Sequence, residues 1–336
     1  METQILKIDG ESLALAKKLI LSGELVAFPT ETVYGLGALA TDGSAVKKIF
    51  EVKGRPQDNP LICHVHENYD INKLVYVKQP YATALKKAYT PGPLTMVYDS
   101  KYVVSKEATA GGDTLAIRIP SNDGAKKFLS FVNEPIVAPS ANLSKHVSPV
   151  TAEHVYKDLK GKIPLILDGG KSEGGIESTV LDVTGNVPRI LRAGLVTKEM
   201  IEKVAGACVF AEHKEGDRVK SPGVKYGHYL PDCEIKGFKE SEYLSAFKFY
   251  DDLVANGIKA VLLAENGVCE MSGDRAFINL GKNGKETASN LFYDLRLAEE
   301  EYEYVVAVLP ENKGGVYDGV LNRFEKAVNK HVGEKK

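Results

Sequence analysis

The sequence predicts an α/β protein: a mixed, twisted sheet of the α+β kind, followed by a small Rossmann-like α/β domain. Three observations carry this. In the first two hundred residues, short apolar runs of strand length outnumber helical patterns, which favours a mixed sheet over a strictly alternating parallel one. Between about 206 and 235 the pattern weakens into a stretch rich in proline and glycine. Beyond it, strands and helices alternate over a length suited to one small domain. The expected boundaries are 1–206, a linker at 207–235, and 236–336.

Leu13, Ala16, Leu19 and Ile20 recur at helical spacing and the run stops at Gly23, while Leu25 to Phe28 is short and apolar, as a strand requires. A helix is expected over Ser44 to Val52. Strands follow at Leu61 to His66, Leu94 to Tyr98, Leu115 to Ile119, Ile136 to Ala138, Pro164 to Asp168, Thr179 to Thr184 and Arg189 to Arg192. Helical patterns near 80–89, 122–131, 151–160 and 197–204 separate them. After the linker, helices at 241–256 and Glu286 to Ala298 and a closing helix to about Val328 interleave with strands Ala260 to Ala264, Ala276 to Leu280 and Val305 to Leu309. No GxGxxG turn accompanies these, so no dinucleotide is expected there.

With 43 Lys+Arg against 45 Asp+Glu, the whole-molecule field gives no reason to expect a nucleic-acid binder. The N-terminus, METQILKIDG, has no basic region followed by an apolar one, and no apolar run approaches the ~20 residues that span a bilayer. A cytoplasmic protein without membrane association is expected. Cys63, Cys208, Cys233 and Cys269 are widely separated, suggesting neither a disulfide framework nor a zinc site.

Several segments hold side chains suited to chemistry. FPTETVYGLG (Phe28–Gly37) puts hydroxyls, an acid and glycines at a strand's end, where a small polar ligand or an ordinary turn are equally served. KGRPQDNPL (Lys53–Leu61) sets Lys53 and Arg55 about a glycine, a pairing that suits phosphate or the dipole of a helix C-terminus. In LICHVH, alternation puts Ile62, His64 and His66 on one face; a metal pair there lacks a third ligand. In TLAIRIP, Leu115, Ile117 and Ile119 share one face and Thr114, Ala116 and Arg118 the other, which is either an anion-binding pair or a solvated strand face. Ser140, Asn142, Ser144 and Ser148 follow the strand IVA, and GGIESTV and ILRAG add Ser178, Thr179 and Arg192. Strand ends that repeatedly offer Thr, Ser, Arg and Lys describe a cleft for an anionic nucleotide with a small polar partner. SPGVKYGHYLP (221–231) reads as a linker that also carries Lys225, Tyr226, His228 and Tyr229.

Taken together, FPTETVYGLG, KGRPxxNPL, the SAN of Ser140 to Asn142, ESTV, the Arg192 segment and SPGVKYGHYLP resemble the YrdC-like family, specifically its long two-domain threonylcarbamoyl-AMP synthases, over nearly the whole chain. The resemblance implies a YrdC-like catalytic domain over 1–206 and a reaction: L-threonine, bicarbonate and ATP, with Mg2+, give threonylcarbamoyl-AMP and pyrophosphate. The product supplies a downstream tRNA threonylcarbamoyltransferase complex that modifies the adenosine beside the anticodon, while tRNA binding by this chain is weak or indirect. It further implies a threonine pocket of Thr32, His64, Arg118, Ala138 through its backbone, and Ser178, with Arg118 on the carboxylate. ATP contacts are implied at Arg55, Asn59, Thr114, Ser140, Ser148, Arg192 and Tyr226, with Lys53, Arg55, Ser140 and Asn142 as the KxR and SxN signature of the catalytic centre. The linker is then expected to act as a lid over ATP, Tyr226 reaching back. Two departures touch the ATP contacts: Ala193 stands where the family commonly has proline, and Gly227 where arginine is frequent. The alternative is a non-catalytic RNA-binding module of the same fold, which the near-neutral charge disfavours.

Overall fold

The computed structural model describes residues 2–212 and 229–328. The described chain divides into two units. Residues up to 212, without 145–147, form the first; residues 145–147 join 229–328 in the second.

The first unit contains, in chain order, β1 (Gln4–Lys7), α1 (Gly10–Leu21), β2 (Val26–Phe28), β3 (Gly35–Leu39), α2 (Gly43–Lys53), β4 (Ile62–His64), β5 (Val75–Tyr76), α3 (Pro80–Tyr89), β6 (Leu94–Ser100), β7 (Thr114–Arg118), α4 (Asp123–Val132), β8 (Ile136–Val137), α5 (Ala152–Leu159), β9 (Leu165–Asp168), β10 (Thr179–Asp182), β11 (Arg189–Arg192), α6 (Lys198–Ala205) and β12 (Val209–Phe210). Local chemistry fixes the helix starts. Asp9, Asn122, Thr151 and Thr197 each cap a helix by accepting a backbone N–H in its first turn.

The strands form one twelve-stranded sheet in the order β1-β9-β2-β3-β8-β4-β7-β6-β10-β11-β12, with β5 on β6. Parallel pairs (β4 with β7, β6 with β10) alternate with antiparallel ones (β8 with β4, β7 with β6), so the sheet is mixed as expected. Period two then sorts the residues. Cys63, Met96, Leu115 and Ile117 enter the main apolar core on one face, while Ile62, Val97, Ala116 and Val180 form a small cluster on the other. It is this second face that carries His64, Thr95 and Arg118. The strand β3, which begins inside FPTETVYGLG and runs on to Leu39, is absent from the sequence expectation because its glycines argue against a strand. They are required by close packing: a Cβ on Gly37 would lie 3.0 Å from a methyl of Ile136.

The second unit contains β13 (Glu234–Lys239), α7 (Tyr243–Ala255), β14 (Ala260–Ala264), α8 (Asn266–Cys269), β15 (Phe277–Asn279), α9 (Gly284–Glu301), β16 (Tyr304–Leu309) and α10 (Val316–Val328). Its four strands are all parallel, in the order β13-β16-β14-β15, the open parallel sheet of a small Rossmann-like domain. Ala246, Phe247 and Tyr250 of α7 cover β14 and β16. The short strand β12 and the first two residues of β13 fall inside the stretch read as linker. Residues 145–147, interior to the Ser140–Ser148 segment of the sequence, belong here: Arg296 of α9 donates to Val147 O at 2.5 Å, and Leu230 N donates to Lys145 O at 2.9 Å.

Candidate active site

The first unit's sheet register builds the site from one transverse row. His64 pairs with Arg118 across β4 and β7, Arg118 with Thr95 across β7 and β6, Thr95 with Val180 across β6 and β10, and Val180 with Arg192 across β10 and β11. Directly paired residues point to the same side, so three polar side chains from three neighbouring strands converge at the end of β7. β7 is an interior strand, and Arg118 is therefore buried, at 4% exposure; the solvated-face reading of this segment does not hold.

Thr30 shapes the turn between β2 and β3. Its Oγ1 donates to Val33 O at 2.6 Å and accepts from the N–H groups of Thr32 and Val33, and Ser172 Oγ donates to Thr30 O. This local locking presents Thr32 to β7. Arg118 Nη2 donates to Thr32 Oγ1 at 2.7 Å and to Glu31 Oε1 at 2.9 Å, a buried ion pair. Arg118 Nε, by contrast, is buried with no hydrogen-bond partner among the described residues. An N–H group left open in a dry pocket costs free energy unless an acceptor arrives.

His64 lies edge-on to Phe28 with ring centroids 5.8 Å apart, and its Nδ1 meets Ile62 O at 3.0 Å. A carbonyl only accepts, so this contact puts the proton on Nδ1 and leaves Nε2 an acceptor. Burial and, secondarily, the Arg118 guanidinium push the His64 pKa down to about 3. The imidazole is neutral at physiological pH and too weak a base to take a proton there.

Ser178 joins this row to the next group. Its hydroxyl lies 2.8 Å from Thr95 Oγ1, and Arg192 donates to Ser178 O through Nε and Nη2, both at 3.1 Å, and to Ser178 Oγ at 3.3 Å. Ala138, just past β8, donates its N–H to Ile62 O, which sets it beside the strand carrying His64. The structure thus brings Thr32, His64, Arg118, Ala138 and Ser178 together by direct contact or strand pairing, with Arg192 adjoining.

A second cluster gathers the KxR and SxN residues. Gly54, in the left-handed conformation, ends α2 just after Lys53. The buried Lys53 ammonium donates to the carbonyl oxygens of Ser140, at 2.6 Å, and Asn142, and Ser140 Oγ donates to Asn142 Oδ1 at 2.5 Å. Lys53 thus holds the SAN loop instead of projecting a bare cation into solvent. Arg55 Nη2 lies 3.4 Å from Asn59 O, and Asn59 Oδ1 is a second buried atom without a partner among the described residues. Ser148 Oγ donates to Glu177 Oε1 at 2.6 Å. Thr114 is set apart from Arg118: the two occupy opposite ends of a five-residue strand, about 13 Å of extended chain. Lys225, Tyr226 and His228 lie outside the described residues, while Tyr229 stacks on Phe292 within the second unit, ring centroids 5.0 Å apart.

Glu31, Thr95 and Glu177 were not singled out by the sequence reading, although both acids stand inside quoted motifs. Their signal was an acid embedded among small hydroxyl residues, and, for Thr95, a polar residue in an otherwise apolar strand.

Comparison with known proteins then decides the family. Residues 18–194 match the Sua5/YciO/YrdC family, described as "Telomere recombination", and residues 196–328 match the "Threonylcarbamoyl-AMP synthase, C-terminal domain". The chain belongs to the Sua5/YciO/YrdC family. It is 39% identical to the threonylcarbamoyl-AMP synthase of Pyrococcus abyssi, covering 96% of this chain and 95% of that one. The Bacillus subtilis threonylcarbamoyl-AMP synthase is 44% identical over 69% of this chain and 68% of that one. Among solved structures, P. abyssi Sua5 complexed with L-threonine matches with a TM-score of 0.88 at 38% identity, covering 97% of this chain and 98% of that one. Escherichia coli YciO, at 23% identity and a TM-score of 0.52 over 57% of this chain and 96% of its own, shares the fold. No helix among the described residues is long and apolar enough to cross a membrane.

Proposed function

We propose that this member of the family synthesises L-threonylcarbamoyl-AMP and pyrophosphate from L-threonine, bicarbonate and ATP, a nucleotidyl transfer whose product serves threonylcarbamoylation of tRNA in the cytoplasm. The observation that carries the reading is the buried row of Arg118, His64, Thr32 and Ser178, in which Arg118 keeps an N–H without an acceptor. A relative covering the same length is described in complex with L-threonine.

In this reading the threonine carboxylate completes the hydrogen bonding of Arg118, and the neutral His64 Nε2 accepts from a ligand N–H or O–H group. The free amine adds to the carbon of carbon dioxide drawn from bicarbonate, and the proton it loses leaves as water with the hydroxide that bicarbonate gives up, which yields N-carboxythreonine. A carbamate oxygen then attacks the α-phosphorus, and the bond to the bridging oxygen of pyrophosphate breaks. His64 is too weak a base to take the proton, so the reading assigns the rate to positioning, charge and the exclusion of water. Arg55, Asn59, Thr114, Ser140, Ser148 and Arg192 are assigned to ATP, Asn59 Oδ1 being an acceptor open to a ligand donor. Lys53 and Asn142 act on the loop that presents Ser140. Ser178 links the two groups, which suits a reaction between neighbouring ligands. Among the described residues no group of three His, Cys, Asp or Glu side chains gathers to hold a metal, so Mg2+ is assigned to the triphosphate and no step is routed through it.

The test is pyrophosphate release from ATP with threonine and bicarbonate supplied or omitted one at a time. Release that requires both supports the reaction. Release at the same rate without threonine contradicts it.

A further inference from the structure

Glu31 has no part in the reaction as derived so far, yet its contacts single it out. It is the acid of the turn between β2 and β3, and its side chain is largely buried. One carboxylate oxygen, Oε1, accepts from Arg118 Nη2 at 2.9 Å; the other, Oε2, accepts from Ser121 N at 3.1 Å. Its main-chain oxygen accepts from Gly174 N at 2.7 Å. A Cβ on Gly174 would lie 2.8 Å from that same oxygen, so the approach is possible only with glycine there. One residue therefore ties three segments that are distant in sequence: its own turn, which presents Thr32; the end of β7 with the loop after it, which presents Arg118; and the GGIESTV segment, which presents Ser178.

The geometry at Arg118 gives this hub a consequence. Glu31, Thr32 and Thr30 all address Nη2, at 2.9, 2.7 and 3.4 Å, which saturates that nitrogen, while Nε stays buried without a partner. A guanidinium is a rigid planar fork, so fixing one nitrogen fixes where the others point. Without Glu31, Nη2 of the buried Arg118 would keep only the hydroxyls of Thr32 and Thr30, neutral acceptors that hold the fork less firmly than a carboxylate.

We infer that Glu31 is the positioning residue of the threonine pocket: by clamping Nη2 it aims the open edge of Arg118 at the substrate carboxylate. The inference rests on the reaction assigned above. It goes beyond that reading in naming a carboxylate that never touches substrate as the determinant of amino-acid affinity.

The test uses the full chain and two variants, Glu31→Gln and Glu31→Ala, measuring KM for L-threonine, KM for ATP, kcat and melting temperature, with calorimetric titration of L-threonine as a readout independent of turnover. Glu31→Gln keeps an acceptor for Ser121 N–H but loses the ion pair, and is expected to raise the threonine KM about tenfold, with ATP KM unchanged and kcat reduced far less. Glu31→Ala, which also frees Ser121, is expected to raise it further, to about a hundredfold. Wild type and Glu31→Gln binding threonine equally would overturn the inference while leaving the reaction standing. A common loss of threonine and ATP affinity that tracks the melting temperature would also overturn it, because a merely structural residue moves both. Failure of the wild-type chain to bind threonine would overturn the assigned reaction and the inference with it. If the alanine variant does not fold, the glutamine variant decides alone.

Discussion

Both units place polar residues at the carboxyl ends of parallel strands, and they use them differently. In the second unit Glu265 follows β14 and closes on its own neighbours: its Oε1 accepts from Thr287 Oγ1 at 2.6 Å and from Tyr317 OH at 3.0 Å. In the first unit His64 and Arg118 end the parallel pair β4 and β7, and there the hydrogen bonding stays open, at Arg118 Nε. Position at a strand end is thus shared by a structural cluster and a candidate site. Unspent hydrogen-bond capacity in a buried setting is what separates them.

The largest effect expected from breaking this contrast is at Arg118. Arg118→Lys keeps the charge but loses the fork, and threonine-dependent pyrophosphate release is expected to fall at least ~100-fold. Steady-state kinetics checks it, with ATP binding as the control. Lys53→Met comes next. It leaves the Ser140 and Asn142 carbonyls without their shared donor, and is expected to cost about 2–3 kcal/mol of stability and to weaken ATP use more than threonine binding. Chemical denaturation and the two KM values test that pair of effects.

His64 supplies a pH signature in the first unit. Its pKa in the folded chain is about 3, below the ~6.5 of an unfolded histidine. The unfolded state therefore takes up the proton first, and the stability that the neutral imidazole contributes is full above about pH 6.5 and is lost as pH falls towards 3. Denaturation midpoints measured across that range are expected to fall less steeply for His64→Asn than for wild type. The smallest effect belongs to the second unit. Thr287→Val removes one hydroxyl from Glu265 and is expected to cost about 1 kcal/mol without altering the kinetics. A kinetic change there would end the contrast between the two units.

Much of the fold was legible because alternation and caps are local. The faces of TLAIRIP and LICHVH were read correctly from period two, and β11, at Arg189–Arg192, coincides with its sequence expectation. β3 was missed because its glycines serve packing against Ile136, a contact made across the sheet. The site was legible as a set of residue types, but its pairings were not. Glu31 lies 87 residues from Arg118, Thr95 lies 83 from Ser178, and Lys53 lies 87 from Ser140. No local pattern encodes contacts at such separations. The same limit hid the placement of residues 145–147 with the second unit, and left the exposure of Arg118 undecided until β7 was seen to be an interior strand.

The most direct test is a crystal structure of the full chain grown with L-threonine. The threonine carboxylate is expected within hydrogen-bond distance of Arg118 Nε, with His64 and Ser178 beside the ligand and the Arg118–Glu31 contact retained. Threonine bound elsewhere, or a pocket still empty at saturating threonine, would contradict the claim that open hydrogen-bond capacity marks the site.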